Sequence, residues 1–125
     1  MNRTQLNNLS KKIIGIAIDI HKKLGPGFVE KIYEKALIHE LEKRKFKFTA
    51  QAIIKVKYDN LLLGNQRVDF LIENEIIIEL KAVSELNKIH EAQMLSYLKT
   101  ADKRLGLILN FASTTLEIRR VVNKF

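Results

Sequence analysis

The chain has 125 residues, 46% hydrophobic and 29% charged, a balance that fits one globular domain over 1–125 and excludes disordered and fibrous classes. It contains no cysteine, which removes disulfides, thiol nucleophiles, iron–sulfur clusters and zinc–thiolate sites together. With 22 basic and 14 acidic residues the net charge is +8, which favours a polyanionic partner, nucleic acid before an anionic membrane surface.

The longest apolar stretch of the N-terminal region, 13–18, is interrupted by Gly15 and falls well short of the about 20 residues a spanning helix needs. The start, Met1-Asn2-Arg3-Thr4-Gln5, is polar and leads into no signal-type apolar run. The expectation is a cytoplasmic protein with no membrane partner.

In chain order, Leu6, Leu9, Ile13, Ile14, Ala17, Ile18 and Leu24 recur at helical spacing and predict a first helix. Gly25-Pro26-Gly27 breaks it, and Ile32, Tyr33, Ala36, Leu37 and Leu41 predict a second helix after the corner. That helix ends in Lys43-Arg44-Lys45, a basic turn that suits the negative end of the helix dipole. Segments 50–58, 67–72 and 75–82 read as three strands, rich in Ile and Val and separated by Asp59-Asn60, Gly64-Asn65 and Asn74. Segment 87–101 returns to helix. Segment 105–111 is an almost wholly apolar run, the mark of a strand covered on both faces, and 116–122 predicts a last strand. The order α-α-β-β-β-α-β-β describes an α/β protein with a central mixed β-sheet flanked by helices.

Several enzyme patterns fail at particular residues. The Gly25-Pro26-Gly27 corner follows a helix, and Glu30 stands where a dinucleotide loop needs its last glycine. His39-Glu40 and His90-Glu91 each open a zinc-protease motif, but Lys43 and Met94 occupy the second histidine position. Phosphate-loop lysine and serine-elbow motifs are absent.

The informative stretch is 67–81. With Glu73-Asn74-Glu75 as a three-residue hairpin loop, Ile72 faces Ile76, Phe70 faces Ile78 and Val68 faces Leu80, an entirely apolar face. The opposite face pairs Leu71 with Ile77, Asp69 with Glu79, and Arg67 with Lys81. Directly opposed carboxylates lie about 5 Å apart at Cβ and repel, so they call for a proton, a cation or solvent between them. Asp69 and Glu79, with Lys81 on the same face, form a candidate oxygen-ligand site for a hard divalent cation. The plain alternative is a solvated Glu79–Lys81 surface pair.

Asp69 followed by Glu79-Leu80-Lys81 resembles the signature of the PD-(D/E)xK nuclease superfamily, with Val68 in place of its proline. Gly27-Phe28-Val29-Glu30-Lys31-Ile32-Tyr33 resembles the signature of its GxxExxY branch, and Ala92-Gln93, Ser96-Tyr97-Leu98 and 106–111 fit the same branch. The resemblance runs over 14–120. It implies a restriction-endonuclease-like core and a Mg²⁺- or Mn²⁺-dependent nuclease. Asp69, Glu79 and the Leu80 carbonyl would hold the metal, and Glu30 would reach it from the second helix. Lys81 would orient or deprotonate water, or neutralise the phosphate. Gln93 and Tyr97, spaced i, i+4, would contact nucleic acid or support the site.

The positive charge singles out Lys43, Arg44, Lys45 and Lys47, with Lys103, Arg104, Arg119 and Arg120, as candidate phosphate contacts. The partner implied is nucleic acid, DNA ahead of RNA, and a homodimer is compatible with a domain of this kind. A non-catalytic nucleic-acid-binding or protein-interaction module on the same fold is the alternative.

Overall fold

A computed structural model describes residues 1–125. The first helix, α1 (Arg3–Leu24), starts earlier than its apolar stripe. Asn2 and Gln5 form a reciprocal capping box, which gives the orphan main-chain N–H groups partners before the first buried leucine is reached. Between α1 and α2 (Glu30–Lys43) lies the Gly-Pro-Gly corner, where Gly25 and Gly27 have φ of 70° and 113°, values that disfavour any side chain.

The strands are β1 (Phe48–Tyr58), β2 (Leu61–Ile72), β3 (Ile76–Lys81), β4 (Leu105–Asn110) and β5 (Glu117–Val122), with α3 (Lys88–Ala101) between β3 and β4. They form one mixed sheet in the order β1-β2-β3-β4-β5, with only β3 and β4 parallel. The crossover through α3 is what permits that parallel pair. α1 and α2 cover one face. There Leu6, Ile13, Leu37 and Leu41 pack on Phe70, Ile72, Ile76, Ile78 and Leu107. α3 covers the other face, where Met94, Tyr97 and Leu98 meet Ala52, Ile54, Val68, Ile77 and Ile108. Gly106 is what lets α3 come down: a Cβ there would lie 2.4 Å from the Met94 sulfur.

β2 is longer than the sequence suggests. The tight turn is Asp59-Asn60, both with left-handed φ, and Gly64-Asn65 lies inside the strand, beside an irregularity at Val56/Lys57. The register of β2 with β3 is the expected one for Ile72↔Ile76, Leu71↔Ile77 and Phe70↔Ile78. It stops there, and Val68 does not face Leu80, nor Arg67 Lys81.

The reason lies in β1. Gln51 has φ 52°, a left-handed residue in the middle of a strand. Alternation should place Ala50 and Ala52 on one face. Instead Ala50 packs with the α1/α2 core and Ala52 with the α3 core, and their partners Phe70 and Val68 divide in the same way. The β1–β2 ribbon turns over at Gln51 and Asp69, so its outer half leaves β3 and packs towards α3.

Candidate active site

Where β2 and β3 part, side chains replace the ladder. The Asp69 N–H donates to Glu79 Oε2 at 2.7 Å, and the Leu80 N–H donates to Asp69 Oδ2 at 2.7 Å. Each carboxylate satisfies a main-chain donor of the opposite strand that the lost pairing would have left open. Asp69 is half-buried and Glu79 buried. Burial first, and then the charge of Asp69, raise the Glu79 carboxyl from 4.5 to about 7; the Asp69 N–H and the nearby Lys81 charge act in the opposite direction. Asp69 and Glu79 meet by crossed hydrogen bonds instead of a regular pair, and Lys81 enters through its charge on Glu79.

Tyr97 comes to the same place from α3. Burial, followed by the charges of Glu79 and Asp69, pushes its phenol above 10.0, while the Gln93 side chain pulls the other way. Gln93 is exposed one turn earlier, at the solvent end of the pair. His90 is accounted for by its helix, since its Nδ1 accepts from the Asn87 N–H at 3.2 Å within the cap.

The segment from Lys81 to α3 is held by residues the sequence did not single out. Asn110, fully buried at the end of β4, accepts from the Val83 N–H at 3.1 Å and donates to the Val83 carbonyl and to Glu117 Oε1, each at 2.9 Å. Glu117 also takes the Leu86 N–H at 3.1 Å. The Asn110 amide, most of all, holds the Glu117 carboxyl below its usual value. An asparagine ending an apolar run was the available signal, because a buried amide must be satisfied.

The second helix brings a different acid to Asp69 from the one its motif names. Glu30 sits exposed in the first turn of α2, where it forms no hydrogen bond or ion pair. One turn on, buried Glu34 accepts from Gln51 Nε2 at 3.0 Å, and the same amide reaches Asp69 Oδ1 at 3.4 Å. Lys31 stands 3.7 Å from Glu34. The i, i+4 relation to Glu30 could have pointed to Glu34; Gln51 needed the register of β1, which its sequence does not reveal. Tyr33 is structural: its hydroxyl donates to the Gly25 carbonyl at 2.6 Å and accepts from the Phe28 N–H, and its ring stacks on Phe111. His21 is buried and bonds the Ser113 carbonyl at 2.8 Å.

The basic candidates divide into groups. Lys43 and Arg44 pair with Glu40 at the far end of α2, about 20 Å from Glu30 at the helical rise. Lys45 and Lys47 are exposed and unpaired; the Lys47 main chain bonds Glu73 and Lys103 touches Asn74, so these last two flank the 73–75 loop. Arg104 bonds the Met1 carbonyl. Arg119 pairs with Glu117 and Glu91, and Arg120 bonds Asn7 and stacks on Phe125.

Asp69 and Glu79 bring two carboxylates together, one of them with its pKa raised by burial first and by its neighbour second, with the Leu80 main chain beside them. That chemistry fits one hard divalent cation. No third Asp, Glu or His joins them to make a group of three. No helix is long and apolar enough to cross a membrane.

No curated protein matches the chain. A solved structure described as "Crystal structure of SSO0001" superposes with a TM-score of 0.59 at 15% identity, over 76% of this chain and 50% of that one. The chain thus spans half the length of that protein, and the likeness is one of fold. The family model of the PD-(D/E)XK nuclease superfamily matches residues 7–121. With three helices on a five-stranded mixed sheet and the signature acids meeting where two strands part, the chain belongs to the PD-(D/E)XK nuclease superfamily, on its restriction-endonuclease-like fold.

Proposed function

We propose that this chain is a cation-dependent nuclease of the GxxExxY type that hydrolyses phosphodiester bonds in nucleic acid, DNA ahead of RNA. The observation that carries the reading is the crossed Asp69–Glu79 pair, two acids held together in a half-buried notch with Lys81 beside them. Asp69, Glu79 and the Leu80 carbonyl would hold Mg²⁺ or Mn²⁺, and Glu30, exposed and unpaired in the first turn of α2, would reach it from the second helix. When bound, the cation supplies charge to the phosphate and lowers the pKa of a water molecule.

The chain's own residues do the rest. Gln51 and the Leu80 N–H fix both oxygens of Asp69, so the carboxylate arrives in one orientation. Lys81, two residues along the strand from Glu79, would neutralise the charge developing on a phosphate oxygen, or orient or deprotonate the attacking water. On the α3 side, exposed Gln93 would contact the nucleic acid, and buried Tyr97 would support the site from the same helix face.

The test is a cleavage assay with Mg²⁺ or Mn²⁺ on single-stranded, duplex and branched DNA and on RNA, beside Glu79→Gln and Lys81→Ala. Cleavage by the parent and none by either variant is expected. Binding without cleavage would leave a nucleic-acid-binding module on the same fold.

A further inference from the structure

Beyond Gln51 the β1–β2 ribbon runs on as a two-stranded arm, paired as far as Tyr58↔Leu61. Its end is apolar and uncovered: Tyr58 is 67% exposed, Leu61 63%, Leu62 52% and Leu63 60%. Single exposed leucines need no explanation, but here Tyr58 and its partner Leu61 share one face of the ribbon, Leu62 points to the other and Leu63 stands at the strand irregularity, so the tip is apolar on both faces, the kind of exposure that marks an interaction surface. A two-stranded ribbon is also only marginally stable alone in water.

Along the same arm, from Ala52 out to Lys57 beside the tip, lies a groove of about 700 Å³ between β1 and α3. Its floor includes Ala52, Ile54, Leu71 and Ala101, and its rim carries Lys55, Lys57, Lys99 and Lys103. The groove thus asks for an apolar insert with an acid. Asp59 is the sole acid between residues 47 and 68, and it sits at the turn of the apolar tip. Because Tyr58 pairs with Leu61, the tip is held out at the end of the ribbon and cannot fold back into the groove beside it.

We propose that the occupant is a second copy of this chain: each copy lays its tip, Tyr58 to Leu63, into the lysine-rimmed groove of the other. Tip and groove on one chain, complementary in shape class and charge, make an isologous two-fold contact that closes on itself. β1 is the outer strand of the sheet, and Lys55, Lys57 and the irregularity beside them oppose open-ended edge pairing. The inference does not depend on cleavage.

The experiment is the mass of the full chain in solution by light scattering and sedimentation across micromolar concentrations, with circular dichroism and melting to confirm folding. A dimer is expected, weakened by about tenfold or more in Leu62→Asp. Asp59→Lys and the double variant Lys55→Glu/Lys57→Glu should each self-associate poorly, since each sets like charges against like. Mixed together they should form a heterodimer, because both of its contacts then join opposite charges. A parent that stays monomeric, or folded variants that do not associate on mixing, would overturn the proposal. A monomeric parent whose tip variants lose nucleic-acid binding would assign the tip to nucleic acid instead.

Discussion

The main-chain N–H of Asp69 donates to the carboxylate of Glu79 at 2.7 Å, so a side chain stands where the β-ladder would have continued. The Asp69 carboxylate does the same for the Leu80 N–H. The two acids therefore hold the notch open as well as charge it, and removing the charge of one need not collapse it.

Glu79→Gln keeps an oxygen acceptor for the Asp69 N–H and removes the repulsion. The folded-state carboxyl is raised to about 7 from 4.5, so between those values the folded protein binds a proton that the unfolded chain has released. Without divalent cation, parent stability should be greatest below about pH 4.5 as far as this group is concerned, and fall as pH rises through 7. The variant should lack that decline and be more stable near pH 8, by about 1–3 kcal/mol. Denaturant titrations at several pH values in chelator check this. A variant less stable than the parent at pH 8 would assign Glu79 a structural ion pair.

Added Mg²⁺ or Mn²⁺ should raise the melting temperature of the parent, because a ligand that binds only the native state stabilises it by mass action. Glu79→Gln should respond much less. Equal shifts in both proteins would mean that the cation binds elsewhere.

The pairs Ile72–Ile76, Leu71–Ile77 and Phe70–Ile78 and the meeting of Asp69 with Glu79 are legible in the sequence because alternation and a single loop fix the register, whereas the expected Val68–Leu80 pair is not formed. The breakdown beyond Phe70 is not legible, since it depends on one backbone angle at Gln51, a residue type with no preference for left-handed φ. β2 was read short because Gly64-Asn65 looks like a turn, yet the turn is Asp59-Asn60 and the glycine sits beside a strand irregularity. Asn110 was hidden inside an apolar run. Gly27 and Tyr33 were legible as a pattern, but only the corner they clamp shows that they act on the backbone.

Gln51 occupies a backbone conformation that costs of order 1 kcal/mol or more and spends its amide on Glu34 and Asp69. Gln51→Gly should relieve the backbone while losing both hydrogen bonds, so its stability should change by less than about 1 kcal/mol. Its cleavage rate should fall clearly, with a higher cation concentration needed for half-maximal activity. Gln51→Asn, also tolerant of this φ, should fall between. Unchanged cation dependence in Gln51→Gly would reduce Gln51 to a bend in the strand.

Tyr33 and Glu30 belong to one motif but should separate in experiment. Tyr33→Phe leaves the Gly25 carbonyl and the Phe28 N–H short of a partner and should cost about 1–2 kcal/mol of stability. Glu30→Gln, exposed and unpaired, should leave the melting temperature within a degree or so of the parent, at a cost below about 0.5 kcal/mol. If Glu30 serves the cation, its variant should cleave slowly at full stability, the reverse of Tyr33→Phe. A fully active Glu30→Gln would shift the role of the helix acid to Glu34.

Nucleic-acid affinity should fall with salt at a log–log slope of about −0.9 per phosphate neutralised on duplex, and the basic residues should contribute unequally. Lys45 and Lys47 form no ion pair, and Lys47 adjoins Glu73, four residues along the chain from Asp69, or about 13 Å at the strand rise. Each should remove close to one phosphate's share of the slope when changed to Gln. Lys43 and Arg44 already face Glu40, which offsets part of their charge, so each should remove less. Arg120 is engaged by Asn7 and the Phe125 ring, and Arg120→Gln should show its effect mainly as lost stability. Fluorescence anisotropy over a salt series, with each variant's melting curve alongside, gives both quantities. Equal slope losses at Lys43 and Lys47 would show that intramolecular pairing does not decide the footprint, and an unchanged slope in Lys45→Gln and Lys47→Gln would move the phosphate path away from the 73–75 loop.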